Sequence, residues 1–122
     1  MEEAVRKTRL ELPWPPSLNH YYRHVGPRVL ISKRGRDYRD AVAARLAAER
    51  TAKMNGKVSL RIDAYPPDNR RRDVDNLLKV VFDSLVGGGL FEDDSQIRHL
   101  EITMRESLQD GLLFLEATPY EK

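Results

Sequence analysis

Ten residues near the middle of the chain, Arg70-Arg71-Arg72-Asp73-Val74-Asp75-Asn76-Leu77-Leu78-Lys79, combine the side-chain types that metal-assisted phosphodiester hydrolysis requires. A second acidic segment, Glu92-Asp93-Asp94, follows within about 20 residues. Carboxylates are hard oxygen donors, and Mg²⁺ takes a few of them, completing its shell with water and substrate phosphate. Such a metal activates a water and stabilises the leaving oxygen. A nearby lysine places positive charge where the transition state gains negative charge, commonly the largest single contribution. Arginines hold a nucleic-acid backbone without reading its sequence.

The spacing sets out how these groups could meet. Asp73 stands just before a run of apolar periodicity, so it reads as a helix N-cap, with Asp75 at the second helical position. Two mid-helix residues at this separation would not share a face, but a cap residue has extended backbone, and its carboxylate can turn toward the helix mouth. Lys79 lies four residues after Asp75, on the same face one turn on. The expectation is that Asp73, Asp75, Asn76 and Lys79 surround one point. Spacing alone does not bring Asp93 and Asp94 back to that point.

Each residue also has an ordinary structural role. A capping Asp contributes about 1 kcal/mol, and an acid in the first helical turn about 0.3–1 kcal/mol. Asp75 and Lys79 could form a common i,i+4 ion pair. Taken together the cluster argues for chemistry, because acids do not ordinarily crowd beside one another directly after three arginines.

The elements that must position these residues follow from periodicity. Val5 to Leu12 reads as a first strand, stopped by the stiff Pro13-Trp14-Pro15-Pro16-Ser17 turn. Residues 19–31 read as a long loop with room for a hairpin, of the kind that often carries function. Ser32 caps a helix over roughly 33–52, in which Tyr38, Val42 and Leu46 form one stripe. Val58, Leu60, Ile62 and Ala64 alternate with Ser59, Arg61, Asp63 and Tyr65 as a half-buried strand. A second helix spans about 74–86, with Val74, Leu77, Leu78, Val81, Phe82 and Leu85 as its apolar positions and Gly87-Gly88-Gly89 as its stop. Leu100, Ile102 and Met104 make a third strand, and Leu112–Thr118 a fourth. The order β-α-β-α-β-β predicts an α/β (α+β) two-layer sandwich with a mixed sheet, all within a single 1–122 domain.

Composition narrows the class. The chain has 122 residues, enough for one core but not two. It has no cysteine, which excludes disulfides, thiol catalysis and Cys-based zinc sites, and its 3 histidines are scattered. No apolar run is long enough for a membrane helix, and Met1-Glu2-Glu3 does not open a signal peptide, so a cytoplasmic protein with no membrane partner is expected. The net charge of +2 is unevenly spread: residues 1–79 hold 18 Lys/Arg against 10 Asp/Glu, a balance of +8, and residues 80–122 hold 3 against 9, a balance of −6. A basic face meeting a polyanion is one consequence; a mixed, solvated surface is the other.

Leu12-Pro13-Trp14-Pro15-Pro16-Ser17, followed by Asn19 and Tyr22-Arg23, resembles the N-terminal signature of RusA-type Holliday junction resolvases. Arg71-Arg72-Asp73-Val74-Asp75-Asn76-Leu77-Leu78-Lys79 resembles that family's core motif, and Phe91-Glu92-Asp93-Asp94-Ser95-Gln96-Ile97 its second acidic motif. The resemblance implies a small homodimeric Mg²⁺-dependent endonuclease, typically of phage or prophage origin. Such an enzyme cuts four-way and other branched DNA by paired nicks inside a bacterial or phage-infected cell. Mn²⁺ is the alternative metal. It implies Asp73, Asp75 and Asp94 as catalytic metal ligands and Lys79 as the essential lysine, with Asn76 and Asp93 in support. Arg70, Arg71 and Arg72 are the first candidates for DNA-backbone contacts, followed by Arg23, Lys33, Arg34 and Arg36. Tyr21, Tyr22 and Trp14 are candidates for stacking on unpaired bases. The competing reading is a non-catalytic junction- or nucleic-acid-binding protein on the same fold, with the aspartates serving as cap and ion pair. A nucleotide phosphohydrolase is disfavoured by the arginine run and the long basic loop.

Overall fold

The computed structural model describes residues 7–121. The first strand, β1, covers Thr8–Leu12, so the expected start at Val5 lies outside the described residues. A one-turn helix α1, Leu18–Tyr21, leads into a hairpin of β2, Tyr22–Val25, and β3, Arg28–Ile31. Helix α2 spans Lys33–Ala48, β4 Val58–Tyr65 and α3 Val74–Gly88. A 3₁₀ turn at Asp94–Gln96 precedes β5, Ile97–Met104, and β6, Leu112–Pro119, completes the chain.

The expected mixed sheet with helices is present: four strands in the order β1-β6-β4-β5, with β4 and β5 parallel and the other pairs antiparallel. A parallel pair needs a crossover, and α3 supplies it. The expected inventory of four strands and two helices is too small. Between Pro13 and Ser32 the chain adds α1 and a separate two-stranded sheet, β2-β3. The hairpin turns at Gly26-Pro27: Gly26 takes φ +59°, and Pro27 cannot extend a ladder. Helix α2 also ends four residues earlier than expected.

One sheet face packs on the helices. Val58, Leu60, Ile62 and Ala64 of β4 and Leu113, Leu115 and Ala117 of β6 are buried there with Tyr38, Val42 and Leu46 of α2. From α3, Leu77, Val81 and Leu85 go into the core as the periodicity predicts, joined by Val80 and Ser84. Val74 is exposed, and Leu78 and Phe82 are only half-buried. Helix α3 therefore has two apolar faces, one on the sheet and one beside it. On β5, Leu100 and Met104 stand in register with Leu60 and Ala64, yet stay 36% and 37% exposed at this edge of the sheet.

Three local devices fix the frame. Ser32 caps α2 as expected, its hydroxyl accepting from the Gly35 N–H at 3.0 Å. Helix α3 runs through Gly87 and Gly88, and the stop is Gly89 alone, in the left-handed region at φ +93°. Gly87 leaves room for the Arg39 guanidinium to lie across α3; a Cβ there would stand 2.2 Å from Arg39 Nη2.

Candidate active site

Helix α3 begins where the segment leaving β4 turns back over the sheet, and Asp73 is its N-cap residue, with extended backbone at φ −88°, ψ 125°. Its side chain makes no capping hydrogen bond. Its Oδ2 instead accepts from Asn76 Nδ2 at 3.4 Å. Asp75 lies in the first turn and Lys79 one turn on. Among the described residues neither Asp75 nor Lys79 has an oppositely charged partner within 4.0 Å, so the i,i+4 pair is not made. The cap and ion-pair roles that would make these aspartates merely structural are thus not played by their side chains.

The four residues line two neighbouring clefts. Asp75 and Lys79 line a groove of about 530 Å³ beside α3, together with Asp93 and Asp94. Asp73 and Asn76 line a second cleft of about 570 Å³ together with Trp14, Arg34, Arg70, Arg71 and Arg72.

Asp93 and Asp94 are held by the start of β4. Phe91 bridges Met54, and the Gln96 side-chain amide donates to the Met54 and Gly56 carbonyls at 3.1 and 2.8 Å. Asp93 caps the 3₁₀ turn, its carboxylate accepting from the Ser95 N–H at 3.0 Å. The Ser95 hydroxyl and N–H hold its carboxyl below the usual carboxylate range. Because β5 starts beside Val58, Asp94 stands near the C-terminal half of α3, whereas Asp75 is at its N-terminal end. From Asp75 to Val86 the groove follows about 16 Å of helix axis.

These donors suit a hard divalent cation, since they are oxygen ligands, and among the described residues Asp75, Asp93 and Asp94 carry no cation of the protein, whereas Asp83 on the same groove is engaged by Arg39 at 3.6 Å. Among the described residues, however, no three acidic or histidine side chains gather around one position. Mg²⁺ does not require that, as it is usually bound through one or two carboxylates with waters and phosphate oxygens. The donor chemistry fits the ion, and the chain alone leaves most of the shell to other ligands.

The basic residues divide by engagement. Arg72 is committed: its guanidinium pairs with Asp68 at 2.9 Å and lies 5.5 Å from the Trp14 ring centre. Asp68 is held below the usual carboxylate range, first by the Arg70 N–H and then by Arg72. Arg70 and Arg71 are exposed beside the second cleft, with Arg34 across it. Lys33 pairs with Asp37 at 2.8 Å, and Arg36 donates to the Ile31 carbonyl at 2.9 Å. Arg23 is exposed on β2, away from both clefts' walls.

Of the three aromatic candidates, only Tyr22 faces the groove. Tyr21 is fully buried; burial and then its hydrogen bond to Asp83 push its phenol well above the ordinary range. Trp14 packs between Arg72 and the Gly111 turn. The groove wall also includes Asp83 and Val86, which sequence reasoning did not single out, and Phe82, expected only as an apolar position of the helix. Asp83 was legible, since Asp75, Lys79 and Asp83 fall at i, i+4 and i+8.

With this geometry in place, comparison with known proteins is direct. The profile of the family described as Endodeoxyribonuclease RusA matches residues 13–112. The chain is 40% identical over 110 residues to the protein named Crossover junction endodeoxyribonuclease RusA from Escherichia coli K12, spanning 89% of this chain and 92% of that protein. Proteins of the same name from Enterobacteria phage 82 and Shigella sonnei match with the same identity and coverage. The chain therefore belongs to the RusA endodeoxyribonuclease family, as its motifs implied.

Proposed function

We propose that this chain is a Mg²⁺-dependent, structure-selective endodeoxyribonuclease that resolves four-way DNA junctions by paired nicks. Family membership supports the reaction class. The observation that carries the site is the groove along α3, lined by Asp75, Lys79, Asp93 and Asp94, none of which has an ion-pair partner within 4.0 Å among the described residues. Asp73, Asp75 and Asp94 supply the metal-binding carboxylates. A bound divalent cation lowers the pKa of water and neutralises charge developing on the phosphate. Lys79 stands on the groove wall where its ammonium can add to that neutralisation, and Arg70, Arg71 and Arg34 hold the flanking backbone.

The working form in this reading is a homodimer. Resolution needs two cuts of like polarity, and one chain has one groove. A two-fold axis across the groove reverses its ends, so the Asp75 end of one copy meets the Asp94 end of the other. That arrangement supplies carboxylates from both ends of the groove to each scissile phosphate.

The test is cleavage of a labelled, mobile four-way junction in Mg²⁺, in Mn²⁺ and in EDTA, beside linear duplex and single-strand controls. Wild type should give paired, ligatable nicks on the junction alone and only with metal, and Asp75→Asn should give none while still binding. A cleavage-competent Asp75→Asn protein, or binding without cutting under every metal, overturns the proposal.

A further inference from the structure

A cavity of about 1070 Å³ lies outside the groove, where β1 begins, β6 ends and α2 hands over to β4. Among the described residues, Lys7, Arg9, Arg50, Lys53 and Lys57 line it with one acid, Glu49. Lys7 and Arg9 share Glu116, at 3.7 and 3.1 Å, and Lys53 is joined to Glu92. Arg50 and Lys57 are exposed and, among the described residues, have no carboxylate within 4.0 Å. Among the described residues no aromatic side chain lines the cavity, so they offer charge but no stacking surface.

Its wall is tied to the segment that carries Asp93 and Asp94. The Met54 N–H donates to the Leu90 carbonyl at 2.7 Å, and Lys53 reaches Glu92, next to Asp93. Cations on one side of this segment and carboxylates on the other are thereby held in fixed relation. The arginine-lined cleft stands at the opposite end of α3.

We infer that this cavity is a second DNA-backbone site, which takes the phosphates of a duplex arm beyond the Asp93–Asp94 segment. The inference rests on the DNA-endonuclease reading and extends it. Clustered cations in one concavity attract a polyanion. The absence of a stacking surface favours duplex backbone over unpaired bases, and lysine and arginine contacts to phosphate carry no sequence preference.

The test is junction-binding affinity in EDTA between 50 and 200 mM salt, for wild type and the Arg50→Asn/Lys57→Gln double variant. Asn is chosen because Arg50 sits at φ +51°, a conformation that Asn tolerates. Each lost phosphate contact lowers the slope of log K against log salt by about 0.9, so the double variant should be flatter by about 1.8 and bind more weakly at the low-salt end. An unchanged slope overturns the inference, as does an affinity loss that is the same at every salt. Should wild type bind the junction steeply yet not cut it, the endonuclease reading fails while the slope comparison still decides the cavity.

Discussion

Tyr21 donates its phenolic hydrogen to Asp83, and that bond fastens the α1 helix and its hairpin to the helix that carries Asp75 and Lys79. Arg39 of α2 approaches the same carboxylate at 3.6 Å, and the Ser84 hydroxyl stands 3.5 Å from the Tyr21 oxygen. Three elements thus meet at one carboxylate on the groove wall. Tyr22, whose ring meets Tyr21 edge-on at 4.9 Å, is set on the groove by this junction.

Removing the hydroxyl should loosen that junction. Tyr21→Phe should cost about 1 kcal/mol, since Asp83 is a third exposed and water partly replaces the lost bond. For a domain of this size that corresponds to roughly 3–5 °C in Tm. A double-mutant cycle with Asp83→Asn should show coupling between the two; additive losses in thermal melts would mean that the bond is energetically idle.

The same tyrosine makes stability sensitive to alkali. Burial, reinforced by Asp83, raises the folded-state pKa of Tyr21 above the unfolded phenol value near 10. The folded chain then holds the proton more tightly, so this stability is full below pH 10 and is lost as pH rises beyond it. Tyr38, raised by burial with its hydroxyl donating to the Pro13 carbonyl at 2.7 Å, acts in the same direction. Urea melts at pH 8, 10 and 11 should show a falling midpoint, with a shallower fall in Tyr21→Phe. Equal slopes would remove Tyr21 from the explanation.

Gly35 in the first turn of α2 should resist the substitution that usually helps a helix. Gly→Ala inside a helix ordinarily gains about 1 kcal/mol. Here a Cβ would stand 2.4 Å from the Tyr21 carbonyl oxygen and 2.7 Å from Ile31 Cγ2. That oxygen already accepts from the Ser32 N–H at 2.8 Å and cannot retreat without breaking the cap region. Gly35→Ala should therefore destabilise by about 1–2 kcal/mol net in chemical denaturation, and a gain in stability would contradict this packing.

How much of this was legible in the sequence depends on the range of the forces involved. The mixed sheet, the α2 stripe of Tyr38, Val42 and Leu46, and the Ser32 cap all follow from local pattern, and all are present. The loop over residues 19–31 had room for a hairpin, and β2 and β3 form one there, turning at Gly26-Pro27. The two carboxylates of Asp73 and Asp75 line different clefts, a division that spacing does not encode. The Asp93–Asp94 placement depends on Gln96 reaching Met54 and Gly56, some 40 residues earlier, and no local signal announces it.

The aspartates of the helix mouth should separate stability from cutting. Since Asp73 makes no capping hydrogen bond, Asp73→Asn should shift stability by less than about 0.5 kcal/mol, below the usual cost of losing an Asp cap. Asp75→Asn removes a favourable charge from the first turn, worth about 0.3–1 kcal/mol. Both should abolish metal-dependent junction cutting, by far more than either stability change could explain. Lys79→Ala should do the same with its fold intact, because its ammonium has no ion-pair partner among the described residues. Thermal melts and single-turnover cleavage on the same preparations decide the matter. A large drop in Tm for Asp73→Asn with cutting retained would return these aspartates to the role of helix caps.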